Sequence, residues 1–200
     1  MTSRPRAQTA AAGYTIIEVM MAIAILVVGA VGILALQRAA TRANAEAREQ
    51  TTATQITRRW LEILRRDGLR WTQRGSAGLL GTQYLNAVPT SPTAVGPWFT
   101  PLGADPTAFG YDGLPAGGGR PAHFCVNVRL SWTLPQEAIR ADVRTWWHRR
   151  ASSLDAAYGD RRLYAGCGPG AEAAVTNEIF GTYRLRATQA ATVIRWRLLQ

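Results

Sequence analysis

Three kinds of hydrophobic patterning divide the chain. The first is continuous. YTIIEVMMAIAILVVGAVGILAL runs from Tyr14 to Leu36, and the eighteen residues from Val19 to Leu36 carry no charge. At about 1.5 Å per residue such a helix spans roughly 27–31 Å, enough to cross the hydrocarbon core of a bilayer. The second is helical. No proline or glycine interrupts Gln37 to Arg66, and Ala53, Ile56, Trp60, Ile63 and Leu64 share one face at spacings of three, four and seven. Arg58, Arg59, Glu62, Arg65 and Arg66 fall mostly off that stripe. The pattern predicts a single helix of about 50 residues, with 14–36 in the membrane, 37–67 packed on a domain, and Asp67-Gly68 as its stop. The Trp60 stripe reads as core.

The third pattern alternates. Phe124, Val126, Val128, Leu130 and Trp132 interleave with His123, Cys125, Asn127, Arg129 and Ser131. Ile139, Ala141, Val143, Thr145 and Trp147 interleave with Arg140, Asp142 and Arg144. Near the end, Tyr183, Leu185 and Ala187 alternate with Arg184 and Arg186, and Ile194, Trp196 and Leu198 with Arg195 and Arg197. Four runs of period two after one long helix predict an α+β fold: the helix packed on a C-terminal antiparallel β-sheet over 123–200. The alternation of arginine and tryptophan resembles a nucleic-acid surface. The simpler reading, favoured here, turns arginine to water and tryptophan to the helix. Between helix and sheet, residues 75–122 hold seven of the ten prolines and the run Gly117-Gly118-Gly119, with Trp98, Phe99, Phe109 and Tyr111 among them. No strand-to-helix context surrounds the glycines, so the segment is a long irregular connection rather than a phosphate loop.

Composition changes the picture little. The formal charge is +10, from 23 basic residues that are all arginine. Such a chain attracts anions, but the arginines are scattered, so nucleic acid is a partner the sequence permits without favouring. Gly29 and Gly32, mid-span, fit either close helix approach or ordinary small-residue usage. His123 and His148 have no nucleophile motif beside them, and Asp155, Asp160 and Glu172 are too loosely spaced for a calcium loop. Nothing points to an enzyme, a metal or a cofactor. Two distant cysteines, Cys125 and Cys167, suggest one disulfide in an oxidising compartment; two free thiols remain open, and a metal site would need other ligands.

The residues before the span decide how it is read. MTSRPRAQTAAAG carries only Arg4 and Arg6 as charges, which keeps that end cytoplasmic and places the C-terminal domain outside, although Arg38 and Arg42 reduce the asymmetry. A cleaved secretory signal fits poorly, because the small residues Ala10-Ala11-Ala12-Gly13 precede the apolar run instead of following it. A plain signal anchor explains everything except Glu18, since an ionisable group at a span's start costs about 2–3 kcal/mol unless it is paired or reaches the interface.

Gly13-Tyr14-Thr15-Ile16-Ile17-Glu18-Val19 resembles the class III signal of type IV prepilins and pseudopilins. The resemblance is specific over Arg4 to Leu36 and architectural beyond. It implies residues 1–13 as a leader cut by prepilin peptidase after Gly13, with Tyr14 as the methylated N-terminus. Tyrosine stands where the family usually has phenylalanine. It implies Glu18 as the assembly glutamate, pairing with the first amine of a neighbouring subunit, and residues 37–200 as a pilin-like periplasmic domain. Pilins often carry a C-terminal disulfide-bounded region, which Cys125 and Cys167 resemble; that bridge would close a loop worth roughly 4 kcal/mol. The signature and the modest α+β domain look most like the V-type pilus-modification branch of minor pilins. The implied partners are prepilin peptidase, other major and minor pilins and the inner membrane, with the cell surface as final location. The competing readings are a minor pseudopilin of a type II secretion system, a pilin-like DNA-uptake or adhesion subunit, and an unrelated signal-anchored periplasmic protein.

Overall fold

A computed structural model of the chain describes residues 13, 15–73, 75, 77–119, 121–148, 167–170, 175 and 185–196. It comprises two compact units, one ending at Ala45 and one of Glu46–Gln200. A single helix, α1 (Ile16–Thr72), runs through the first and into the second. Four strands follow: β1 (Ala108–Phe109), β2 (Phe124–Leu134), β3 (Ala138–His148) and β4 (Leu185–Arg195). They form one antiparallel sheet in the order β1-β2-β3-β4. The α+β arrangement expected from the patterning, a long N-terminal helix with its C-terminal part on an antiparallel sheet, is the one found.

Within the second unit the sheet's helix-facing side and α1 make the main core. Ala53, Ile56, Trp60, Ile63 and Leu64 are all buried, joined by Leu61 and Trp71. Opposite them lie Phe124, Val126, Val128 and Leu130 of β2, and Ile139, Ala141, Val143 and Trp147 of β3. Helical spacing of three and four meets strand spacing of two, so each pattern presents one continuous apolar surface to the other. A polar pin crosses the layer: the hydroxyls of Thr57 and Thr145 share a 2.7 Å hydrogen bond.

α1 continues five residues past the expected stop at Asp67-Gly68. Both residues are buried, and each has a tertiary task. The Asp67 carboxylate accepts backbone N–H bonds from Gln83 (2.7 Å), Tyr84 (2.7 Å) and Leu85 (3.1 Å), anchoring the chain's return after the helix. A β-carbon at Gly68 would lie 2.4 Å from Ile194 Cγ2, so β4 crosses where the helix has no side chain.

The proline-rich connection is irregular but not detached. Two short 3-10 turns, Gly78–Gly81 and Leu85–Ala87, and strand β1 lie within it. Two tryptophan indoles donate to its backbone carbonyls: Trp60 Nε1 to Pro106 (3.0 Å) and Trp132 Nε1 to Pro89 (2.7 Å). Residues 95–109 then run along the outer edge of β2, with bridges Val95↔Ser131 and Phe99↔Val128 ahead of the β1 pairing. Bonds such as Phe99 N–H to Val128 O (2.9 Å) satisfy an edge that would otherwise be open.

The last two alternating runs are one strand. β4 pairs with β3 without a register break from Leu185↔His148 to Arg195↔Ala138. Leu185 and Ile194 are separated by an odd number of positions, so they point to opposite faces. Ile194 joins the helix-side core, whereas Leu185 lies on the far side with Cys125, Trp146 and Val175. The expected inward set of Leu185 and Ala187 is therefore reversed: Arg186 and Thr188 turn to the helix side. Tyr183, Arg184, Arg197 and Leu198 lie outside the described residues.

Candidate functional site

The start of α1 is built by a local pattern. Thr15 precedes the first helical residue, and its backbone O accepts the N–H of Glu18 (3.1 Å) and of Val19 (3.3 Å). Its hydroxyl also accepts from Glu18 N–H at 3.4 Å. Thr15-Ile16-Ile17-Glu18 is thus a T-x-x-E capping sequence, with a carboxylate in the first turn where free N–H groups and the helix dipole favour negative charge. That gives Glu18 a helix-starting role which the hydropathy pattern alone does not suggest. Gly13 is exposed, with open space where a side chain would stand. Tyr14 lies outside the described residues. Ile16 to Leu36 are exposed along their length, and this is a helix long and apolar enough to cross a membrane.

The second unit has two distinctive polar regions, one on each side of the sheet. On the helix side Glu49, almost wholly buried, accepts from Trp147 Nε1 (3.2 Å), and His123 Nε2 lies 3.7 Å from its other oxygen. The His123 ring packs edge-on between Tyr111 and Phe124. Glu49 and Trp147, with Glu46, Ala47, Gln50 and Arg186, line a cleft of about 330 Å³. Gln50 Nε2 closes one wall by donating to Thr188 Oγ1 (2.7 Å). His123 is therefore a packed neighbour of a buried carboxylate, not a surface group, and His148 sits at the half-buried end of β3.

On the far side the expectation that arginines face water fails at Arg144. Arg144 and Asp142 are buried, and two guanidinium groups stack on the Trp98 ring, that of Arg129 4.7 Å and that of Arg144 4.4 Å from its centre. Asp142 accepts from Arg129 (3.3 Å) and Arg140 (3.1 Å). Asn127 gathers three partners: it accepts from Trp146 Nε1 (2.7 Å) and Arg144 (3.3 Å) and donates to Thr100 (3.1 Å). Thr100 in turn donates to Gly168 O. Burial first, and the nearby charge of Arg129 second, lower the Arg144 pKa to about 10, so it stays cationic at neutral pH. Cys125 and Cys167 are disulfide-bonded beside this cluster, their Cα atoms 5.0 Å apart. Residues 95–100 and 167–170 thus roof the far face, and period two alone does not reveal a face covered by loops.

No family model, characterised protein or solved structure matches this chain.

Among the described residues no three His, Cys, Asp or Glu side chains converge as metal ligands. The titratable groups that are brought together, Glu49 with His123 and Asp142 with Arg129 and Arg140, are packed between elements that they join. Asp155, Asp160 and Glu172 lie outside the described residues.

Proposed function

We propose that this chain is a prepilin-type minor pilin, a structural subunit that primes or enters a type IV pilus after prepilin peptidase cleaves between Gly13 and Tyr14. One observation carries the reading: a glycine followed by the cap Thr15-Ile16-Ile17-Glu18 opens an apolar helix that continues unbroken to Thr72. A helix of this kind anchors the chain once in the inner membrane and later packs against its like in a filament, with residues 37–200 displayed in the periplasm and then at the surface. In this reading Tyr14 carries the new, methylated amine. Glu18, one turn away, meets the corresponding amine of a neighbouring subunit. A charged pair in an apolar helix bundle fixes axial register more than it stabilises, since burying a carboxylate offsets most of the attraction. The disulfide between Cys125 and Cys167 suits the oxidising side of the membrane.

The test is the intact mass and N-terminal sequence of the protein from sheared surface filaments and from membranes. The expected chain begins at methylated Tyr14 and is present in the sheared fraction. A chain beginning at or near Met1 and confined to membranes, in cells with active prepilin peptidase, refutes the proposal and leaves a signal-anchored protein.

A further inference from the structure

The two edges of the sheet are treated differently. The β2 edge is covered by residues 95–109, whereas β4 pairs only with β3, and among the described residues nothing hydrogen-bonds to its outer side. Sheet edges are normally blunted by proline, a bulge, a charge within the strand or a covering loop. β4 carries charge only near its ends, at Arg186 and Arg195, and among the described residues it has no proline, bulge or covering loop. Its register is unbroken over eleven residues, and the eight from Ala187 to Ile194 contain no charge, proline or glycine.

The direction of its free groups follows from one bond. Trp196 N–H donates to Glu137 O at 2.7 Å, so that rung faces β3. Antiparallel rungs alternate, so the backbone N–H and C=O of Ala187, Gln189, Ala191, Val193 and Arg195 point outward. The side chains of Ala187, Gln189, Ala191 and Val193 are exposed, and none is bulky enough to screen the backbone.

We infer that the free edge of β4 is a docking site for an extended segment of another polypeptide, uncharged along its middle and acidic at its ends. Main-chain pairing would supply affinity, and charge would choose the partner. The uncharged stretch is bracketed by Arg186 and Arg195, both exposed, with no acidic residue on the strand. A second copy is the poorer occupant. In an antiparallel pairing of two copies that overlaps the strands fully, outward rungs meet outward rungs and bring Arg186 of each to within one rung of Arg195 of the other. Two chains of formal charge +10 also repel. The edge is the same whether or not the chain is cut after Gly13.

The experiment measures fluorescence anisotropy with the full-length chain in detergent micelles. The probe is a labelled peptide of alternating threonine and valine with glutamate at both ends; its twin has arginine at both ends. The glutamate-ended peptide is expected to bind about five- to tenfold more tightly at low salt. Ala191→Pro removes one outward N–H and no bond to β3, and should abolish binding. Arg186→Gln with Arg195→Gln, which leaves the backbone intact, should retain binding and erase the preference between the peptides. Equal affinity of the wild-type chain for both peptides, no binding of either, or binding unchanged by Ala191→Pro overturns the inference. So does sedimentation showing a dimer that Ala191→Pro dissolves, which would assign the edge to a second copy.

Discussion

Replacing Asp67 by alanine tests whether the end of α1 is held by its buried carboxylate. The side chain is nearly inaccessible and accepts three backbone N–H bonds, two of them at 2.7 Å. Hydrogen bonds to a charged acceptor contribute about 1.5–3 kcal/mol each, and an orphaned buried donor costs about 1–3 kcal/mol. Gln83 is exposed and can turn to water, but Tyr84 and Leu85 are buried and cannot. The expected loss for Asp67→Ala is therefore about 3–5 kcal/mol, set chiefly by those two N–H groups. Asp67→Asn separates geometry from charge. Its carbonyl can still serve Tyr84 and Leu85, while its amide meets the Gln83 N–H donor to donor, for a loss of about 1–2 kcal/mol. The assay is urea unfolding of Glu46–Gln200, a compact unit, followed by tryptophan fluorescence, because Trp60 packs edge-on against Tyr84 with ring centres 5.4 Å apart. A loss under about 0.5 kcal/mol for Asp67→Ala, within the range of ordinary surface changes, would refute the reasoning.

Two further outcomes are expected. Gly68→Ala places a methyl group 2.4 Å from Ile194 Cγ2 and should cost about 1–3 kcal/mol, with Ile194→Ala in the same chain recovering part of it in a double-mutant cycle; strictly additive losses would exclude the contact. Tyr84 donates its hydroxyl to Asp105 at 2.8 Å, and burial, reinforced by that carboxylate, raises its pKa from 10.0 to about 12. The folded chain thus holds this proton after the unfolded chain has lost it. The contribution is complete below about pH 10 and falls as pH rises toward 12. Absorbance titration of the tyrosines should show a late-ionising step that Tyr84→Phe removes; an unchanged curve would contradict it.

Legibility varied with how far each signal reaches along the chain. The span and the stripe of Ala53, Ile56, Trp60, Ile63 and Leu64 are local periodicities, and the fold honours them because one apolar face meets one apolar sheet. Asp67-Gly68 reads locally as a helix end, yet both residues answer partners 16 or more positions away in the chain, which no local pattern encodes. β1 is two residues long, too short for any alternation to show. The pattern divides β4 into two runs because small residues from Ala187 to Ala191 carry no hydrophobic contrast, and the odd separation of Leu185 from Ile194 puts the two runs' apolar residues on opposite faces. Arg144 reads as solvated, since its burial is imposed by Trp98 and the disulfide segment across the sheet. The cap at the start of α1 is linear and legible, because it needs only Thr15 and Glu18, three positions apart.

The disulfide also divides the chain by how it would carry tension. Pulled from its two ends, force enters β2 at Cys125, passes through the sulfurs, and leaves at Cys167 toward β4, so the rest of β2 and the whole of β3 lie off the load path. β4 can peel away while the β2–β3 hairpin stays paired inside its covalent ring. The 42 positions between the cysteines would withhold roughly 140 Å of extension until the bond is reduced.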